Sequence, residues 1–132
     1  MRNTHDACHI AIPTRDLDES VRFYLGGLGA RLARRYPDRV TFDFFGDQLV
    51  CHLSEDTPAE PVPYPRHFGV TFAEQVDFDR LLLLVEHRGL PVLSGPSRRF
   101  EGTAEAHRTI FLVDPSNNVV EFKSYDDPRL QF

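Results

Sequence analysis

Lysine occurs once in this 132-residue chain, at Lys123, against fourteen arginines. So lopsided a ratio reads as coding bias rather than as recognition chemistry. Cysteine occurs twice, at Cys8 and Cys51, too few for a disulfide framework, and both are expected to stay as thiols. No charged-apolar-small leader and no apolar run of about 18 residues is visible at either end, so no membrane span is expected and the protein is placed in the cytoplasm. Net positive charge is also lacking. At -5 overall, and with no basic stripe interleaved with aromatics, the chain is not expected to bind nucleic acid or an anionic membrane. What is present is apolar mass: 41% hydrophobic residues, including 11 Phe, are enough for the core of one domain spanning residues 1–132.

The prolines concentrate near the middle. Pro58, Pro61, Pro63 and Pro65 stiffen a connection and exclude helix or central strand, which marks residues 58–65 as a linker between a first module (7–57) and a second (66–125). The same order of elements recurs on either side. The first half reads as a strand (9–12), a helix (17–28) and strands near 30–36, 39–45 and 48–53. The second reads as a strand (67–72), a helix (78–88) and strands near 91–93, 109–113 and 119–123. Asp16 with Glu19 forms a capping-box pattern before Leu17, Val21, Tyr24, Leu25 and Leu28, which keep to one face, and Gly29 stops that helix. Asp77 is the expected cap of the second helix and Gly89 its stop. The two stop glycines are 60 residues apart, and the strand-opening His9 and His67 are 58 apart.

Polar residues interrupt four of these strands. His9, His52, His67 and Glu121 stand among apolar neighbours, and three imidazoles with one carboxylate are a ligand set for a divalent metal. His9 and His67 open the first strand of each half, while His52 and Glu121 both lie in the fourth. A repeat with pseudo-twofold symmetry would therefore bring the four to one point. Strand alternation turns Cys8 and Cys51 away from that point into the core.

At this stage a family resemblance emerges. The order βαβββ twice, the opening histidines, the segment Asp16-Leu17-Asp18-Glu19-Ser20-Val21-Arg22-Phe23-Tyr24 and the stretch Asp114-Pro115-Ser116-Asn117-Asn118-Val119-Val120-Glu121 resemble the vicinal oxygen chelate superfamily over residues 7–125. That group includes glyoxalase I, extradiol dioxygenases and the fosfomycin and bleomycin resistance proteins. The resemblance implies an α+β fold of two βαβββ modules, as paired half-barrels forming a metal cup, in a homodimer. It also implies a small-molecule substrate held through adjacent oxygens. Glyoxalase-like members carry Glu where His52 stands. His52 is then either a fourth metal ligand or an acid or base beside a triad of His9, His67 and Glu121. A tyrosine expected ten residues before the last Glu is Phe111 here.

The expected activity is a dioxygenase-type oxidation at Fe(II), with Ni, Zn, Mn or Co as other metals that suit the set. His52 and Glu121 are the candidate catalytic groups. A glyoxalase-like isomerase or lyase is the alternative, and a bleomycin-resistance-type binding protein the third reading. The polar stretch 94–108 is expected to be a mobile cover, with Arg98, Arg99, His107 and Arg108, together with Phe111, as substrate contacts. His5 and His87 are assigned to solvent and a helix end. The 114–118 segment is assigned to a hairpin turn and given no chemistry.

Overall fold

The computed structural model describes residues 2–132. The chain divides into two compact units, one ending at Pro58 and the other beginning at Ala59, inside the proline-rich stretch. The first contains β1 (His9–Thr14), α1 (Leu17–Val21), β2 (Arg31–Arg35), β3 (Arg39–Phe44) and β4 (Asp47–Leu53). The second contains β5 (Phe68–Phe72), α2 (Gln75–Arg88), β6 (Val92–Arg99), β7 (His107–Val113) and β8 (Val119–Tyr125). Each forms one open four-stranded mixed sheet, in the orders β1-β4-β3-β2 and β5-β8-β7-β6. These are the two βαβββ modules of the expected α+β fold. No helix among the described residues is long and apolar enough to cross a membrane.

In the first module Asp16 caps α1 by accepting a 2.9 Å hydrogen bond from the Glu19 amide. After Val21 the helix widens into a π-helical turn over Arg22–Gly27, where the Leu28 amide donates to the Phe23 carbonyl five residues back. Gly29 then turns the chain with φ +76°. The register pairs Val40 with Cys51 and Phe42 with Leu49, so all four face one side. Tyr24 packs there against Phe42 and Phe44, with ring centroids 5.5 and 6.1 Å apart.

The second module is more regular. The chain enters α2 through Glu74, so Asp77 is not the cap: it lies in the first turn and pairs with Arg80 at 3.0 Å. Phe78, Leu81 and Val85 of α2 are buried, as are Ile110, Leu112, Val120 and Phe122 of the sheet. Gly89 ends the helix in the left-handed conformation, which costs glycine no Cβ clash.

Two expectations change here. The stretch 94–108 is not mainly a loop, because Ser94–Arg99 belongs to β6 and only residues 100–106 connect it to β7. Gly95 and Pro96 disguised this strand. They sit at a register shift on the sheet edge, where proline's missing N–H removes no ladder bond. Cys51 is buried as expected, whereas Cys8 precedes β1 and is exposed.

Candidate metal centre

The second module brings two of the proposed ligands together. His67 immediately precedes β5 and Glu121 lies on β8, with His67 Nε2 3.1 Å from Glu121 Oε2. The other ring nitrogen settles the proton. His67 Nδ1 is 2.6 Å from the Pro63 carbonyl, which can only accept, so Nδ1 carries the hydrogen. In the neutral ring the Nε2 lone pair then faces a carboxylate oxygen, and two acceptors at that distance need a cation or a proton between them. This is how a metal-ligating histidine is usually oriented, with its far N–H on a backbone carbonyl. Glu121 is buried, and its Oε1 accepts from Thr109 Oγ1 at 2.7 Å. The pair fits a divalent ion.

Close backbone approach makes this geometry possible. Gly69 lies opposite Glu121, and a Cβ there would come within 1.6 Å of the Glu121 carbonyl oxygen. Only glycine allows β5 and β8 to pair at this point. Around the imidazole stand the rings of Tyr64 and Phe111, with centroids 5.5 and 5.6 Å from that of His67.

In the first module His9 opens β1 opposite Gln48, and its Nδ1 makes a short hydrogen bond with Gln48 Oε1. With Nδ1 engaged, Nε2 is the nitrogen available to a metal. His52, however, lies opposite Pro13, four residues further along β1. At about 3.3 Å per residue that is roughly 13 Å, too far for the two imidazoles to share one ion at bonds of about 2 Å. The expected meeting of all four side chains is therefore corrected. Among the described residues, no group of three or more His, Cys, Asp or Glu side chains could hold an ion.

The register also shows which positions correspond. His9 and His67 each precede their helix cap, Asp16 or Glu74, by the same interval. Two residues after each histidine come Ala11, opposite Val50, and Gly69, opposite Glu121. Two further come Pro13, opposite His52, and Thr71, opposite Lys123. Val50 is thus the counterpart of Glu121, and His52 that of Lys123.

A family model of the glyoxalase/bleomycin resistance protein/dioxygenase superfamily matches residues 8–122. The chain belongs to that superfamily. Among solved structures, a glyoxalase/bleomycin resistance protein/dioxygenase from Alicyclobacillus acidocaldarius is 57% identical, with TM-score 0.96 and full coverage of both chains. A lactoylglutathione lyase from Agrobacterium tumefaciens shares the fold at 19% identity, with TM-score 0.69 over 96% of this chain and 97% of that one. Among curated relatives, the metallothiol transferase FosB of Lysinibacillus sphaericus is 25% identical over 86% of this chain and 78% of its own length.

The superfamily fold sorts the remaining candidates by sheet face. Arg108 points to the helix side, over the Phe78 ring at 4.7 Å and paired with Asp79 at 2.7 Å, so it is removed from the site. Arg98 is taken up by Glu101 and Asp126, and the Asp126 carboxylate raises its pKa further. His107 is buried between Phe100 and Tyr125 with Nδ1 on the Glu105 carbonyl, which makes it a wall rather than a contact. Arg99 and Phe111 remain on the Glu121 face. Sequence reasoning missed Thr109, Tyr64 and Lys123, whose Nζ is 3.9 Å from Glu121 Oε2. Strand alternation from Glu121 would have found Lys123. Tyr64 had no such signal, lying in the proline-rich connection.

Proposed function

We propose that this superfamily member is a divalent-metal-dependent enzyme acting on a small, oxygen-rich substrate. His67 and Glu121 are the proposed ligands in the second module, and His9 is the candidate ligand of the first. The observation that carries this is the His67 ring, whose Nδ1 is committed to Pro63 while Nε2 faces the Glu121 carboxylate. A divalent ion held there would polarise substrate oxygens. The protein's own contribution is orientation: Thr109 holds Glu121, the Pro63 carbonyl sets the His67 tautomer, and the Tyr64 and Phe111 rings pack edge-on against the imidazole.

The reaction class this arrangement favours is non-oxidative, an isomerase, lyase or transferase. The case for a dioxygenase leaned on His52 as proton donor, and the register takes His52 away from His9. The name of the related metallothiol transferase supports the same direction. O2-dependent chemistry is the second reading, supported by the composition of the set, since two histidines and one carboxylate suit non-haem Fe(II). Following the family resemblance, the chain is proposed to act as a homodimer, which a sizing column checks.

Elemental analysis of untagged protein tests the core of this reading. Near one equivalent of divalent metal per chain is expected, falling by more than about 100-fold in affinity in Glu121→Gln. Wild-type protein that takes up no metal on reconstitution would overturn it. Turnover that survives strict removal of O2 separates the first reaction class from the second.

A further inference from the structure

Lys123 and Arg99 lie on the Glu121 face of the second sheet, and their surroundings set them apart from Arg98 and Arg108 on the other face. The rows of that face follow from the register: Gly69, Glu121 and Phe111; then Thr71, Lys123, Thr109 and Ser97; then Tyr125, His107 and Arg99. Lys123 is flanked on both sides by short hydroxyl residues, so nothing bulky covers it within the sheet. Its ammonium lies 5.6 Å from the Tyr125 ring and at the outer limit of an ion pair with Glu121, at 3.9 Å. Arg99 makes no ion pair among the described residues. It donates to the Tyr64 hydroxyl at 3.2 Å and passes 5.4 Å over Phe100, while Arg98 and Arg108 beside it on the other face are locked to carboxylates.

We infer that Lys123 and Arg99 form an anion subsite beside the proposed metal centre, so that the substrate carries an acidic oxyanion group in addition to its chelating oxygens. This rests on the reading of the site given above and names the substrate class. A chain of net charge -5 repels anions at long range, so two cations sharing one sheet face with a single carboxylate, that of Glu121, are a local reversal of sign. The Cα atoms of Lys123 and Arg99 are about 12 Å apart, from two strand spacings of about 4.8 Å and two residues of about 3.4 Å. Two long flexible side chains can close on one small anion across that gap. Tyr64 fixes the scale: its hydroxyl holds Arg99 while its ring lies against His67, so the anionic group and the metal-facing imidazole are about one tyrosine apart. Carboxylate engagement by a metal would also weaken the hold of Glu121 on Lys123 and free the ammonium for the ligand.

The test is calorimetric titration of inorganic phosphate, and separately of Mn(II), into wild type, Lys123→Gln and Arg99→Gln. Phosphate is expected to bind the wild type without metal, and to bind each variant roughly tenfold or more weakly. Mn(II) affinity in Lys123→Gln is expected to stay the same or rise, because a like charge near the ion has been removed. This opposite movement is one that general unfolding would not produce. Equal phosphate affinity in wild type and both variants, or no wild-type binding up to about 10 mM, would overturn the subsite. Phosphate binding without any Mn(II) binding in the wild type would instead sink the metal reading and leave the subsite standing.

Discussion

Two residues after its opening histidine, the first module has Ala11 opposite Val50; the second has Gly69 opposite Glu121. The same place in the same fold is apolar with a normal Cβ in one copy, and carboxylate-bearing with no Cβ in the other. One step further the first module pairs Pro13 with His52, and the second pairs Thr71 with Lys123. The helices differ as well, since α1 is short, well capped and relaxes into a π turn, while α2 is long and has no side-chain cap bond. The repeat thus supplies a common scaffold, and polar chemistry is concentrated on the second copy. A duplicated module needs only a few changes on one face to specialise, because the core on the other face is untouched.

The largest effect expected from breaking this difference is at Gly69. Gly69→Ala should destabilise the second module by about 3 kcal/mol or more in urea unfolding, since backbone must move to relieve the overlap. Ala11→Gly, the reverse exchange in the first module, should cost only about 0.5 to 1 kcal/mol. Next is Thr109→Val, which keeps side-chain volume and removes the hydroxyl from Glu121. Metal affinity should fall about 10- to 100-fold, as for other groups that orient ligands. Val50→Thr, at the first-module counterpart of Glu121, should leave metal affinity unchanged, and both are read by competition with a metallochromic chelator.

A smaller effect concerns the caps. The Glu19 backbone hydrogen bond holds the Asp16 carboxyl below its ordinary value of 3.8. A folded-state pKa lower than the unfolded one means stabilisation that is present above the unfolded value and lost as pH falls through the folded one. Asp16→Ala should therefore lower the melting temperature near neutrality and lose that difference in strong acid, whereas Glu74→Ala should change little at either pH. The smallest effect is expected from His52→Ala, with full metal occupancy and unchanged stability. Loss of the metal in that variant would restore His52 as a ligand.

Much of the fold was legible because the signals are local. The capping pattern at Asp16, the stop glycines, the proline-rich divide, His67 just before β5 and Glu121 within β8 all stand within a few residues of what they specify. The edge strand β6 was not legible, because Gly95 and Pro96 resemble loop residues wherever a bulge is not foreseen. The hairpin of 114–118 was read correctly as a turn: the Asp114 carboxylate accepts from the Ser116 and Asn118 amides, and Asn117 takes a positive φ.

Composition and pattern by themselves determined the two-module repeat and the glycine stops after both helices, and they singled out His9, His67 and Glu121 as candidate ligands. Register was decided only by the tertiary structure. Which residue of β4 lies opposite which residue of β1 depends on long-range pairing, and the hairpins before the last strands differ in length, with Phe44 pairing Asp47 but Val113 pairing Val119. Counting along the sequence therefore aligned His52 with Glu121, while the sheets align it with Lys123. The same pairing puts the single lysine of the chain beside Glu121, because side-chain alternation acts at a distance of two residues only once the strand and its face are known.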